Sequence, residues 1–303
     1  MQIKLSVHES PSMTTPFSLR IFVANGDPDG LRIVDRTNWN GKALVFPRAA
    51  WAQPSVADRH ELQQTGVYLL LGPREDGEGE RLYIGEGDPI KPRLASHHSG
   101  TSQKDFWTRA ICFVSMGQAL NKAHVQFLEA NLIHLAKQAK RVPLDVENKK
   151  NETEPTLSEA DRADIKVFLS HMLGMLPVLG VHAFEQPPKA PAPSAPELTC
   201  KGKGLVARGY ESTQGFVVKA GSQAAKEIVQ SMYKHLPSVV AWREELIAMG
   251  VLAPANGYYV FMQDYVFKSP SAASDIVLGR SSNGRLDWKD DKGRSLKVLQ
   301  GEE

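Results

Sequence analysis

Five prolines fall within positions 185–197, EQPPKAPAPSAPE, and the rest of that run is mostly alanine and polar residues. Proline has no N–H to give to a helix or a sheet, and its ring fixes φ near one value. A run of this kind forms an extended, semi-rigid connection rather than a packed element. The 303-residue chain is therefore expected to form two folded parts, one on each side of it. A hydrophobic content of 42% with 23% charged residues is ordinary for a soluble globular protein. No run reaches the ~18 apolar residues of a membrane span. The first ten residues, MQIKLSVHES, lack the apolar core of a signal peptide. Cys112 lies in a strand-like run and Cys200 beside the linker, which suggests neither a disulfide framework nor a zinc site. A reducing cytoplasm and no membrane association are the expectations.

Within the first part, residues 65–98 read TGVYLLLGPREDGEGERLYIGEGDPIKPRLASHH. Gly66 to Gly72 and Leu82 to Gly85 are apolar and β-rich, and the charged, turn-forming segment 73–80 lies between them. That pattern predicts two antiparallel strands joined by a loop longer than a tight hairpin. Asp88 as N-cap and Pro89 at the first helical position predict a short helix, with Pro92 still in its first turn and Gly100 as its stop. Arg93 and His97 are four apart on that helix and share a face. Two phenols, Tyr68 and Tyr83, thus precede a guanidinium and an imidazole. Each tyrosine alone reads equally well as a half-buried strand aromatic with its hydroxyl at the rim.

A longer helix is predicted over 121–140, NKAHVQFLEANLIHLAKQAK, where Val125, Leu128, Leu132, Leu135 and Ala136 form a stripe at helical spacing. Glu129 falls inside the stripe. A carboxylate on a buried face is costly unless a cation or a donor meets it. Glu129 is either a ligand for a cation or a stripe-edge glutamate that reaches water or pairs with a lysine.

Gly66-Val67-Tyr68, then Tyr83-Ile84-Gly85, then Arg93 and His97 in this order, resemble the GIY-YIG nuclease module, with valine in place of the first isoleucine. The resemblance implies a metal-dependent endonuclease acting on DNA, with RNA not excluded. It assigns Tyr68 as general base, Tyr83 as a group orienting water or phosphate, Arg93 as the grip on a phosphate oxygen, and His97 as a hydrogen-bonding member of the cluster. It also requires a metal-binding glutamate on a later helix, which selects Glu129 as the ligand of magnesium or manganese. An asparagine often follows that helix in the family; of Asn148 and Asn151, Asn148 is the better placed. A GIY-YIG-like core that binds nucleic acid or protein without cleaving is the alternative. No competing motif stands out: GKG at 202–204 lacks the rest of a phosphate loop, and GEGD at 85–88 lacks the third glycine of a dinucleotide fingerprint.

The second part resembles an uncharacterised α/β domain that often follows GIY-YIG modules, a likeness carried by SPSAA at 269–273 and NGRLDWK at 283–289. Residues 200–299 hold 14 Lys and Arg against 9 Asp and Glu, a charge of +5, whereas residues 1–199 hold 22 against 23, or −1. The excess suggests a phosphate-facing surface, for which Arg285, Lys289, Lys292 and Arg294 around Trp288 are the candidates. A solvated face explains the same excess, and Trp288 reads equally well as core.

The expected fold class is α/β in the α+β sense. A small, mainly antiparallel sheet flanked by helices is expected over 61–184, with a β-rich extension at 1–60. The linker at 185–197 then leads to a small α/β domain at 198–303. In that last part, 222–236 and 238–250 read as helices, 257–267 as one strand, and 269–279 as a short helix capped by Ser269.

Overall fold

The computed structural model describes residues 16–74, 79–117, 119–145, 147–149, 154–188 and 195–301. The N-terminal decapeptide, Asn151 and the middle of the linker, 189–194, lie outside the described residues. The chain is mixed α+β and divides into two compact units. One comprises 1–72, 82–135 and 144–182; the other takes 183–303 together with 73–81 and 136–143.

The first unit is built on a sheet of β1 (Leu19–Val23), β2 (Arg32–Arg36), β3 (Gly41–Pro47), β4 (Gly66–Pro73), β5 (Glu80–Gly87) and β6 (Arg109–Ser115). Its order is β1-β2-β3-β6-β4-β5. The helices are α1 (Pro54–Ala57), α2 (Ile90–Ser99), α3 (Lys122–Ala139) and α4 (Glu159–Met175). β6 is central: it runs antiparallel to β3, with Leu44 opposite Cys112, and antiparallel to β4, with Tyr68 opposite the same Cys112. The expected β-rich extension is thus hydrogen-bonded into the same sheet as the motif strands, rather than packed on them. β4 and β6 read as near-continuous apolar runs because both of their faces are covered; Val67 to Leu71 and Ala110 to Val114 are all buried.

Local rules account for the helix ends. α4 starts where Ser158 Oγ accepts from Asp161 N at 3.1 Å. Asn121 Oδ1 does the same for His124 N at 2.9 Å and opens α3. α2 begins later than the expected Asp88 cap: its N-cap is Pro89. Asp88 instead accepts from Thr65 Oγ1 at 2.6 Å, and Ile90 N is satisfied by Gln64 O, so the loop before β4 holds this helix start. Among the described residues no helix is long and apolar enough to cross a membrane.

The second unit contains β7 (Leu198–Gly202), β8 (Leu205–Ser212), β9 (Gly215–Val218), β10 (Gln223–Ala225), α5 (Gln230–His235) and α6 (Pro237–Ala248). These lead into β11 (Leu252–Pro254), β12 (Tyr258–Phe261), β13 (Tyr265–Phe267), α7 (Pro270–Leu278), α8 (Gly284–Asp287), β14 (Trp288–Lys289) and α9 (Leu296–Leu299). One sheet has the order β13-β9-β8-β7-β14 and the other β10-β12-β11. The segment expected to be a helix over 222–236 opens as β10, which pairs with β12, so tertiary pairing overrides the helix propensity of Ala-Ala-Lys-Glu. The expected single strand over 257–267 is two strands in different sheets, broken at Met262–Asp264, where Asp264 Oδ1 accepts from Ala220 N at 2.8 Å. α7 matches expectation. Ser269 Oγ accepts from Ala272 N at 3.1 Å, and Gly279 closes the helix at φ +62°.

Candidate active site

Four of the five residues singled out by the motif lie on β4, β5 and α2, and the fifth lies on α3. The two motif glycines explain themselves by contact. A Cβ on Gly85 would sit 2.5 Å from Tyr68 Cζ and Oη, so the Tyr68 phenol lies directly against the β5 backbone. A Cβ on Gly66 would overlap the Phe113 carbonyl oxygen and Ile90 Cδ1. Gly85→Ala is therefore expected to push the Tyr68 ring off its partners. Its melting temperature should fall by several degrees, in line with the roughly 1–3 kcal/mol of overpacking a filled core. A thermal melt equal to wild type would show that the phenol does not rest there.

Tyr68 is fully buried, at 0% exposure, and belongs to the core with Leu70, Ile90, Leu94 and Trp107. This corrects the rim position considered for it. Its hydroxyl lies 2.9 Å from His97 Nε2, and His97 Nδ1 lies 3.0 Å from the Ser102 carbonyl. A carbonyl only accepts, so Nδ1 carries the proton, and the bare Nε2 accepts from the Tyr68 hydroxyl. Burial lowers the His97 pKa below its usual 6.5; the Ser102 bond opposes this, while Lys104 and Arg93 add to it. The imidazole is thus held neutral at pH 7, with its acceptor face on the phenol.

Burial pushes Tyr68 well above the usual phenol value of 10, and neighbouring Tyr83 adds to the shift. Arg93 pulls the other way, by its charge and by a hydrogen bond to the hydroxyl. Tyr83 is raised to about 12, by burial first and by Glu147 second, against the pull of Arg93 and of a hydrogen bond with Tyr68. The rings of Tyr83 and His97 meet edge to face at 4.9 Å. Arg93 is the exposed member of the group. Glu129, half-buried on α3, is raised to about 7 by burial and by the charge of Glu86, with Arg93 and Lys122 opposing.

Three participants had little or no signal in the sequence. Lys104, in the loop after α2, is buried and places its ammonium 4.3 Å over the Tyr83 ring. The same ammonium pairs with Asp145 Oδ1 at 3.2 Å and Glu147 Oε2 at 3.1 Å. Glu86 directly follows the Tyr-Ile-Gly triplet, and that adjacency was its one visible cue. Its Oε1 accepts from Lys122 Nζ at 2.5 Å, and its buried Oε2 has no hydrogen-bond partner. Arg48, just after β3, donates to the carbonyls of His98 (3.0 Å) and Lys104 (2.7 Å) and covers the Trp107 ring at 5.1 Å, fixing the end of α2 and the loop that holds Ser102.

Asn148 is buried beside the site, but its amide is used by the backbone. Nδ2 donates to Ile84 O at 2.6 Å, and Oδ1 accepts from Ile84 N at 2.8 Å. It pairs with β5 as another strand would and fixes Ile84 between Tyr83 and Gly85. It is a positioning residue: its amide oxygen and nitrogen are both engaged by the β5 backbone.

The candidate phosphate contacts of the second unit divide. Lys289 and Lys292 are exposed. Arg294 is engaged by Asp290 at 2.8 Å and 2.7 Å, and Arg285 Nε donates to Gln300 Oε1 at 3.0 Å. Trp288 is core: it is fully buried against Phe216 and donates from Nε1 to Pro270 O at 3.0 Å.

Among the described residues no group of three or more His, Cys, Asp or Glu forms a metal cage. Of the carboxylates near the cluster, Glu86 and Glu129 are the two that could serve a hard cation keeping several of its waters. The orphaned, buried Glu86 Oε2 is the kind of atom such a cation satisfies. No curated protein and no solved structure matches the chain. Residues 198–300 match a family model described as a domain of unknown function, DUF4357.

Proposed function

We propose that this chain is a magnesium- or manganese-dependent endonuclease of the GIY-YIG type that hydrolyses phosphodiester bonds in DNA. The observation that carries the reading is mutual coupling. Tyr68, Tyr83, Arg93, His97 and Glu129, spread over two strands and two helices, act on one another's hydrogen bonds or charge. Structural tyrosines and a stray glutamate have no reason to converge on one arginine.

A bound divalent cation supplies Lewis-acid polarisation of a phosphate oxygen. Glu129 would hold that cation. Arg93, charged and exposed, grips a non-bridging oxygen and offsets the charge that grows in the transition state. Tyr68 takes the proton of the attacking water while its own proton passes to His97 Nε2, which burial keeps free to receive it. The Ser102 carbonyl, on Nδ1–H, then steadies the charged imidazole. Direct loss of a proton from Tyr68 to bulk water is opposed by its burial, so the relay is what makes a buried phenol usable as a base. Tyr83 orients the water or the phosphate. In the second unit, the exposed Lys289 and Lys292 add phosphate contacts and so raise affinity for the polymer.

The complete burial of Tyr68 favours a second reading, a non-cleaving module that binds nucleic acid or protein, because a general base must meet a water. Incubating the purified chain with supercoiled plasmid separates the two, with and without magnesium or manganese and with a labelled RNA in parallel. Nicking that requires the metal is the expected result. Retention of plasmid on a gel with no nicking at any metal concentration selects the binding module.

A further inference from the structure

We propose that Glu86 is a second carboxylate ligand of the divalent cation, aimed by Lys122. The inference rests on the nuclease reading and adds a residue to its metal site. Alternation along β5 places Glu86 on the face opposite Tyr83 and Gly85, where it meets Lys122. Lys122 and Glu129 lie seven residues apart on α3, close to two full turns, so both project from one side of that helix. The ammonium of Lys122 takes Glu86 Oε1 and leaves Oε2 buried without a hydrogen-bond partner. A carboxylate oxygen held out of water with nothing to accept from is unfavourable. Glu86 on β5 and Glu129 on α3 lie within electrostatic reach of each other. A divalent cation bound by Glu86 Oε2 together with the Glu129 carboxylate gives that buried oxygen the partner it lacks. Carboxylate and water oxygens around such an ion suit magnesium or manganese rather than zinc. Lys122 acts through Glu86: it fixes which oxygen is free and tempers the total negative charge of the pair.

The test measures metal binding without substrate. Manganese is titrated into the full-length chain, free manganese is followed by electron paramagnetic resonance, and the metal-induced shift in melting temperature is recorded. Glu86→Gln should weaken manganese binding by at least about tenfold, the scale of losing a group that shapes a metal site, and shrink the melting shift accordingly. Glu129→Gln should bind still more weakly. If Glu86→Gln proves poorly folded by circular dichroism, Glu86→Asp, which keeps the charge but draws it back by one methylene, is measured in its place and should also weaken binding. Wild-type manganese affinity in the folded Glu86 variant, with affinity lost only in Glu129→Gln, overturns the inference and leaves the nuclease reading standing. Metal-dependent plasmid nicking by wild type with no measurable manganese binding in the absence of DNA also overturns it, since the two carboxylates would then not form a site by themselves. If wild type neither binds manganese nor nicks, both fall.

Discussion

Glu129→Gln should abolish metal-dependent nicking while yielding a protein at least as stable as wild type. The substitution keeps shape and removes charge. If Glu129 anchors the cation as proposed, its loss removes several kcal/mol of transition-state stabilisation, and cleavage should fall by about a thousandfold or more. The stability half follows from the raised carboxyl. In the fold Glu129 titrates at about 7 instead of the usual 4.5, so its contribution to stability is fully present below 4.5 and is lost as pH rises through 7. A neutral glutamine escapes that loss. In metal-free buffer the melting temperature of Glu129→Gln relative to wild type should therefore climb between pH 5 and pH 8. A variant that melts lower than wild type at pH 8 would mark Glu129 as a structural ion-pair partner, and nicking at the wild-type rate would remove it from the site.

Tyr68→Phe and Arg93→Ala should both lower nicking by about a hundredfold or more, the scale of losing a general base or a charge-stabilising donor, but they should differ in stability. Arg93 is exposed, and its removal should leave the melt nearly unchanged. Tyr68 is buried, and its hydroxyl is the donor to His97 Nε2 at 2.9 Å. Phenylalanine would leave that nitrogen buried and unpaired, at a cost of about 1–3 kcal/mol. For a folded unit of this size that amounts to several degrees in melting temperature. Nothing in the motif itself separates the two variants in stability; the complete burial of Tyr68 does. Full nicking activity in Tyr68→Phe would show that the phenol is packing and that His97 meets the water by some other route.

What could be read in advance was what depends on neighbours in sequence. Ser158 and Ser269 announce helix starts because a hydroxyl three residues before a free N–H is a local event. The Tyr-Gly pairs, the Arg93–His97 spacing and the misplaced carboxylate of Glu129 are also local patterns, and the structure brings these residues together. Lys104 and Asp145 meet across 41 positions, and Arg48 reaches His98 across 50; nothing near them in sequence signals the partner. Gln223–Ala225 reads as helix because alanine favours one, yet the strand is decided by β12, which lies far along the chain. Trp288, readable from its basic neighbours as a contact and from its chemistry as core, is core because its ring packs on Phe216, a partner far back along the chain. Asn148 lies against Ile84, and its use as a substitute strand depends on the edge of β5, which only the assembled sheet defines.

The insertion of β6 between β3 and β4 decides how much of the chain has to stay together for the motif strands to fold. A cassette that began at the tyrosine motif would carry β6 with one flank stripped, the apolar run from Ala110 to Val114 open along a full strand and ready to recruit a second copy. It would also leave behind Arg48, and with it the clasp on the loop whose Ser102 carbonyl sets the tautomer of His97. The smallest piece that keeps this sheet paired therefore starts well upstream of the tyrosine motif, and a fragment cut at the motif would keep the motif residues without the strand and the clasp that orient them.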